Sequence, residues 1–223
     1  MLALLLCFFL GYAPARLLLP AAPWAERALL MPHLGLSLLL CVTAALTTTT
    51  ALAPTRVAAG LALLALPLNA WAALRPSTKK RALRCANAAS PRRAFVREAA
   101  PLAAWALAGV AFWLAVLPPL RWGLALPIGS NWDAAEFYVP LGRVLQLASQ
   151  RDLALLPRNP LVAIVTTPPV SGRIHAFSYL HAAASGLAGA DPARSYAGMM
   201  ALLLALIPPA AYALGRAVGM ARP

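Results

Sequence analysis

Long apolar stretches separated by short polar segments set the pattern of this chain. The clearest stretch runs from Ala28 to Ala53 without a charged residue, and a helix of that length exceeds the ~30 Å hydrocarbon thickness of a bilayer. Further stretches of similar character cover 1–19, 57–74, 100–120 and 195–214. The pattern therefore predicts an all-α protein, a multi-spanning bundle of transmembrane helices.

One stretch leaves the number of spans open. Residues 174–190 are moderately apolar but include His175 and His181, and their 17 residues lie at the lower limit for a span. If this segment crosses the membrane, there are six spans and the C-terminus is outside. If it lies on the surface or re-enters, there are five and the C-terminus is inside. Arg216 and Arg222 slightly favour the inside.

Composition supports the membrane interpretation. Of the 223 residues, 61% are hydrophobic and 11% are charged, whereas soluble domains have roughly 25% charged residues. The formal net charge is +13, but the basic residues are concentrated between the apolar stretches and do not form a basic face for nucleic acid. The partner predicted by this composition is the lipid bilayer.

The basic residues predict the orientation of the chain. Residues 75–99 contain eight Lys and Arg residues and one acid, Glu98, which is typical of a cytoplasmic loop. We therefore expect three N-terminal transmembrane helices in 1–74, a helix at 100–120 that leads outward, and a loop at 121–173 on the periplasmic or extracellular face. The predicted location is the inner (plasma) membrane, crossed several times.

The N-terminal stretch has two interpretations. Ala13-Pro14-Ala15 fits a signal-peptidase site, so cleavage near Ala15 is one of them. No Lys or Arg precedes the apolar residues, which favours a retained first helix.

An acidic pair is the main candidate for chemistry. Asp133 and Glu136 are three residues apart in the predicted external loop, so on a helix both carboxylates lie on one face. Carboxylates there could act as a general base or ligate a divalent cation. Alternatively, Asp133 is the N-cap and Glu136 the capping-box residue of an amphipathic interfacial helix. Its apolar side would hold Phe137, Leu141, Val144, Leu145 and Ala148, opposite Glu136, Arg143, Gln146 and Gln150.

Basic and aromatic residues of the same region are candidates for binding. Guanidinium groups at Arg143 and Arg173 could bind phosphate or, equally, contact lipid headgroups. His175 and His181 are six apart and lack metal-ligand spacing, so no metal site is predicted. No sequence signature of a soluble enzyme is present.

The order of motifs in 100–223 resembles the start of the GT-C glycosyltransferases, in particular the bacterial branch related to protein mannosyltransferases. A spanning helix is followed by Asp133, Glu136 and Tyr138, then by an amphipathic helix and by Thr167-Pro168-Pro169. An Ala-rich segment ending in Gly189-Ala190-Asp191-Pro192-Ala193-Arg194 leads into the last helix, predicted at 195–215.

The resemblance implies sugar transfer from a polyprenyl-phosphate donor at the outer face of the membrane. Asp133 would be the catalytic base, and Glu136 would support it or bind a divalent cation. The substrate-binding residues would be Tyr138, Arg143, Arg173 and His175. The family's His-Pro-Pro element has Thr167 in place of its histidine, for which His175 could compensate.

The resemblance also bears on the extent of the bundle. It implies that 174–190 is a span, which favours the six-span count. Family members have more helices, so we expect this chain to be the N-terminal part of a longer protein or an inactive fragment.

Two other classes of protein remain open. One is a non-enzymatic membrane protein, because capping alone accounts for Asp133. The other is a transporter, which is disfavoured because the clear spans contain only His33 and Asn69 as notable polar residues.

Overall fold

A computed structural model describes residues 2–20, 22–75, 91–122, 138–154 and 176–217, without the side chains of 91–98, 119–120, 122, 154, 176 and 217. The regular structure in these ranges is helical, which confirms the predicted all-α class. The helices are α1 (Leu2–Leu18), α2 (Trp24–Thr49), α3 (Pro54–Leu74), α4 (Pro91–Trp122), α5 (Val139–Leu147), α6 (Gln150–Ala154), α7 (Ala176–Leu187), α8 (Pro192–Ala205) and α9 (Ile207–Ala217).

Four helical segments of the described chain are long and apolar enough to cross a membrane. They are α2, α3, the part of α4 from Ala99 to Pro118, and the segment Pro192–Arg216 formed by α8 and α9. The 17-residue α1 is apolar but shorter. Large apolar side chains on α3 and α4, such as Leu63 and Leu107, point out of the bundle, as expected for helices that face lipid.

The fourth and last spans differ from their predicted bounds. Helix α4 begins at Pro91, so residues 91–99 extend the helix into the segment predicted as a loop. The single helix predicted at 195–215 is divided at Leu206 into α8 and α9. Pro208 and Pro209 explain the division, because a proline cannot donate the backbone hydrogen bond of a helix interior but is accepted in a first turn.

Helices α1 and α2 form an antiparallel hairpin with unusually close backbones. A Cβ atom on Gly11 would overlap the carbonyl oxygen of Met31, and one on Gly35 would overlap that of Cys7. Small residues at a helix interface permit such an approach. The pairs Gly11–Met31 and Cys7–Gly35 also fix the register of the hairpin. Four residues back along α1 correspond to four residues forward along α2, as expected for antiparallel helices.

Helix α3 is joined to α1 by a polar residue inside its span. The Asn69 amide nitrogen donates to the Phe9 carbonyl (2.8 Å), and the Ala13 backbone N–H donates to the Asn69 Oδ1 atom (3.1 Å). In a regular α-helix the Ala13 N–H donates to the Phe9 carbonyl. The side-chain amide of Asn69 contacts both of these groups and so bridges one turn of α1, next to Pro14. This polar residue of a span therefore has a structural role.

The two ends of the bundle are formed by different helices. The C-terminal ends of α1 and α3, the N-terminal end of α2 and the C-terminal end of α9 meet at one end, which we call the arginine end (Arg16, Arg27, Arg75 and Arg216). There, Arg16 donates to the carbonyl of Arg75 (2.8 Å), and Arg216 forms an ion pair with Glu26 (3.5 Å). Helices α5, α6 and α7 pack at the opposite end, which we call the α5–α7 end.

Helix α7 lies at the centre of the α5–α7 end. All eight residues from 178 to 185 are buried, and the helix contacts α1, α2, α3, α5 and α8. The turn after α7 is a Schellman motif, in which Gly189 has a φ of 61°. The Ala190 N–H donates to the Ser185 carbonyl (2.9 Å) and closes this turn. The described part of α7 has 12 residues, and the span expected at 174–190 is not among the candidate spans found in the described residues.

Candidate functional site

The candidate site is the surface where α5 packs on α7 and on the start of α8. Leu141 and Leu145 of α5 are buried against Tyr179 and Ala182 of α7. The apolar side predicted for this helix is therefore present, but it faces the protein core and not a lipid surface. Gln146, predicted on the outward side, points inward, so the prediction for that residue was wrong.

Four of the predicted site residues lie outside the described residues. They are Asp133, Glu136, Arg173 and His175. The catalytic and capping interpretations of the acidic pair thus both stay predictions. The described part begins at Tyr138, the N-cap residue of α5, which makes no side-chain capping bond.

Tyr138 belongs to an aromatic cluster beneath the start of α5. Its ring contacts Phe177 edge to face, with centroids 5.6 Å apart. Phe177 in turn contacts His181 and Tyr196, with centroid distances of 5.4 Å to each. Edge-to-face pairs add to the stability gained from burial. The cluster fixes the point at which the chain enters α5, two residues after Glu136 in the sequence.

Arg143 forms a two-pronged ion pair with Asp191. Its Nε atom lies 3.1 Å from Oδ1 and its Nη2 atom 2.6 Å from Oδ2. Asp191 also accepts from the Ala193 N–H (2.7 Å) and so caps α8. The hydrogen bond from Arg143 is the main reason that the pKa of Asp191 lies below its ordinary value. Both side chains are exposed, and the three remaining guanidinium N–H groups are unused by this pair.

A buried polar stripe runs along α7 beneath this ion pair. Ser178, His181 and Ser185 share one face of the helix and are buried. The Gln146 amide donates to the Ser185 hydroxyl (2.7 Å) and to the Ala190 carbonyl (3.0 Å). These two bonds join α5 to α7, whereas the buried Ser178 hydroxyl has no hydrogen-bond partner among the described residues.

His181 is the middle residue of the stripe and is fully buried. Its Nε2 atom lies 2.8 Å from the Ser195 hydroxyl, and its Nδ1 atom, beside Gly142, has no hydrogen-bond partner among the described residues. Helix α7 is outside the candidate spans, and burial lowers the pKa of His181 to about 4, so the imidazole is neutral at pH 7.

The contact of His181 with Ser195 joins α7 to α8. In hydrolase triads a carboxylate orients the basic histidine, and Nδ1 of His181 has no such partner among the described residues. No group of three or more His, Cys, Asp and Glu residues in the described ranges could hold a metal ion.

Sequence reasoning missed the partners in this stripe. It treated His181 together with His175, as polar residues near an interface, placed Gln146 on the outward side of its helix, and did not consider Ser195. The signal available in the sequence was the spacing of Ser178, His181 and Ser185, which repeats at three and four residues as one helix face does.

Asp152 has a local structural role at the same end. The Asp152 backbone N–H donates to the Ser149 hydroxyl (2.9 Å), and the Ser149 N–H donates to the Asp152 carboxylate (3.4 Å). This reciprocal pair is a capping box at the start of α6. The carboxylate of Asp152 is therefore used to cap the start of α6.

Comparison with protein-family models, curated proteins and solved structures finds no match for this chain. The fold and the site define a helical membrane protein with a packed group of short helices at one end. Any assignment beyond that class rests on the residues themselves.

Proposed function

We propose that this chain is a GT-C type membrane glycosyltransferase, or the N-terminal part of one, that uses a polyprenyl-phosphate-linked sugar. The main observation in its favour is the position of Arg143. This exposed guanidinium lies at the α5–α7 end, on the helix that directly follows Asp133, Glu136 and Tyr138 in the sequence. A phosphate-binding cation and a general base belong together in such a reaction.

The proposed orientation puts the arginine end in the cytoplasm. At this end α3 leads through Arg75 into residues 75–99, which contain eight Lys and Arg residues, and loops rich in Lys and Arg stay on the cytoplasmic side. Helices α1, α2, α3, α4 and the α8–α9 segment then make five crossings, with α9 ending inside. This favours the five-span alternative, because α7 does not count as a crossing.

In the proposed mechanism, Asp133 removes the proton of an acceptor hydroxyl. The hydroxyl oxygen then bonds to the anomeric carbon of the sugar as the bond from that carbon to the phosphate oxygen breaks. The electron pair leaves with the polyprenyl phosphate, whose added negative charge Arg143 would stabilise. Glu136 would support Asp133 or ligate a divalent cation, and Arg173, His175 and Tyr138 would contact the substrates.

The ion pair of Arg143 fits this role in a particular way. A guanidinium has five N–H groups, and Asp191 engages two of them. A donor phosphate would approach from the exposed side and use the other three. Asp191 would then hold the fork of Arg143 in place for the incoming phosphate.

The test is transfer of a radiolabelled sugar from a polyprenyl-phosphate donor by membranes that contain the protein. We expect Asp133→Asn to lower the rate at least ~100-fold, because general-base catalysis contributes about that much or more. Asp152→Asn is the matched control, since that carboxylate caps α6, and it should keep most of the activity. Transfer by Asp133→Asn at the rate of the unchanged protein would refute the assignment.

A non-enzymatic membrane protein is the second candidate. The observation in its favour is that Arg143 already has a carboxylate partner and that Ser185 of α7 is bonded within the protein by Gln146. The two candidates differ in donor binding. If the unchanged protein binds a polyprenyl-phosphate sugar and Arg143→Gln does not, the transferase is supported. If the unchanged protein and Arg143→Gln retain equal amounts of the sugar, the alternative is supported.

Orientation has its own test. In a variant without native cysteines, single cysteines at Ser90 and at Leu147, which is 85% exposed, are labelled with an impermeant maleimide in intact cells. We expect labelling at Leu147→Cys from outside and at Ser90→Cys only after lysis. The reverse pattern would overturn the proposed orientation.

A further inference from the structure

Three arginines from three helices lie at the arginine end. Arg16 lies in the last turn of α1, Arg27 in the first turn of α2, and Arg75 directly after α3. Each of these helices carries the chain to the same edge of the bundle. Their arrangement is independent of the transferase proposal, which concerns the opposite end.

Arg16 joins α1 to the end of α3. Its Nη2 atom donates to the carbonyls of Ala73 (3.2 Å) and Arg75 (2.8 Å), and its Nη1 atom donates to the Tyr12 hydroxyl (3.1 Å). Basic side chains commonly satisfy the last carbonyls of a helix in this way. These bonds hold the guanidinium in a fixed orientation and use three of its five N–H groups.

Arg75 is stacked on an exposed tryptophan. Its guanidinium carbon lies 3.9 Å from the centre of the Trp71 ring, a cation–π geometry. Arg75 is exposed, and its guanidinium has no hydrogen-bonded or ionic partner among the described side chains. The stacking leaves the edge of the guanidinium, with all its N–H groups, free for a ligand.

Arg27 contains a buried donor that nothing satisfies. Its Nε atom is buried and has no hydrogen-bond partner in the described chain. The hairpin register, with Cys7 opposite Gly35 and Gly11 opposite Met31, places Arg27 opposite the fully buried Ala15, next to Arg16. A buried charged donor without a partner calls for an explanation, such as a bound anion.

The local charge is unbalanced. Glu26 is the only described carboxylate at this end, and it pairs with Arg216 at 3.5 Å. The three arginines therefore have no carboxylate partner among the described side chains. Trp24 and Trp71, 59% and 45% exposed, flank them at the level where tryptophan contacts the headgroup region of a bilayer.

We propose that Arg16, Arg27 and Arg75 form a binding site for the phosphate of an anionic phospholipid headgroup. The chemistry fits, because guanidinium groups bind phosphate oxygens with two parallel hydrogen bonds. The position at the end of apolar helices, between exposed tryptophans, selects a lipid and not a soluble anion. Basic pockets between transmembrane helices bind anionic headgroups in this manner.

The test uses the full chain in detergent micelles and measures the midpoint of thermal unfolding on addition of lipid. Phosphatidylglycerol is the anionic probe, phosphatidylcholine the zwitterionic one, and inorganic phosphate the soluble one. We expect phosphatidylglycerol alone to raise the midpoint. The double variant Arg27→Gln/Arg75→Gln should bind it roughly 30-fold more weakly, because it lacks two of the three guanidinium groups of the site.

Arg56→Gln is the matched control, because Arg56 is exposed in the first turn of α3 at the other end of the bundle. It should keep the full response to phosphatidylglycerol. Each variant is compared with its own lipid-free midpoint, so a loss of stability does not obscure the result. An equal response to phosphatidylcholine, a response to inorganic phosphate, or an unchanged response in the double variant would overturn the proposal.

Discussion

The α1–α2 hairpin and helix α7 both belong to the helical bundle, yet they are held by different kinds of contact. The hairpin depends on the absence of side chains at Gly11 and Gly35, where the two backbones touch. Helix α7 depends on hydrogen bonds, from Thr55 to the Ala182 carbonyl (3.3 Å) and from Gln146 to Ser185 (2.7 Å). The hairpin should therefore respond to side-chain volume, and α7 to protonation and polarity.

The largest expected effect comes from adding one methyl group to the hairpin. Gly35→Ala would push a Cβ atom into the Cys7 carbonyl, which is backbone and cannot move aside, so we expect a loss of roughly 3 kcal/mol or more in the free energy of unfolding. Unfolding by sodium dodecyl sulfate in mixed micelles, followed by tryptophan fluorescence, measures it. Gly60→Ala is the control, since no atom lies within 4 Å of the added methyl group. Equal stability of the two variants would contradict the close approach.

Acidification should affect the α7 region next most strongly. The pKa of His181 is lowered from 6.5 to about 4, so at pH 5 the unfolded chain binds a proton that the folded chain does not. The stability is complete above about pH 6.5 and should fall as the pH drops towards 4, by up to about 1.4 kcal/mol per pH unit. The measurement is the unfolding free energy across this range. His181→Phe should flatten the curve, and the same slope in both proteins would refute the neutral buried histidine.

Asn69 is the polar exception in the N-terminal helices, and its removal should have a moderate effect. Asn69→Ala deletes the bridge between Phe9 and Ala13, but those two groups can then approach each other as in a regular helix. We expect a loss of about 1 kcal/mol, the usual value for a side-chain hydrogen bond between membrane helices. Thr48→Ala, whose hydroxyl bonds within its own exposed turn, serves as the control in the same detergent titration. A loss as large as that of Gly35→Ala would show that the bridge determines the packing of α1.

The exposed ion pair of Arg143 should have the smallest effect on stability. Its signature is the titration of Asp191, whose pKa lies below 3.8 mainly because of the hydrogen bond from Arg143. The ion pair contributes its full stabilisation at pH values above the ordinary pKa of 3.8. This stabilisation is lost as the pH falls through the lowered pKa of Asp191 in the folded chain. In Arg143→Gln, the pKa of Asp191 followed by carboxyl carbon NMR should rise towards 3.8, whereas Arg56→Gln should leave it unchanged. No rise would mean that the pair does not persist in solution.

The apolar pattern of the sequence predicted the long helices well, because a stretch such as 28–53 has no other stable environment than lipid. It could not predict the place of α7. A moderately apolar segment of 17 residues fits a short span, a surface helix or a buried helix, and only the surrounding helices decide among them. The same holds for Gln146, whose inward position depends on Ser185, a residue distant in the sequence.

The backbone contacts of the hairpin were also beyond the sequence. Gly11 and Gly35 each look like a mild interruption of an apolar helix, and their shared function appears only when both helices are placed side by side. Of the candidate site, Tyr138 and Arg143 lie at the predicted helix, and the acidic pair stays a prediction. The partner of Arg143 could not be foreseen, since Asp191 is 48 residues away.

The burial of α7 has a consequence for how the protein is made. The described part of α7 carries a histidine and two serines on one face, which weakens its recognition by the insertion machinery. We therefore expect α7 to enter the bundle after α1, α2 and α3, against which it packs, are already in the membrane. Assembly is then ordered in time, and the segment that completes the α5–α7 end is the last to lose contact with water.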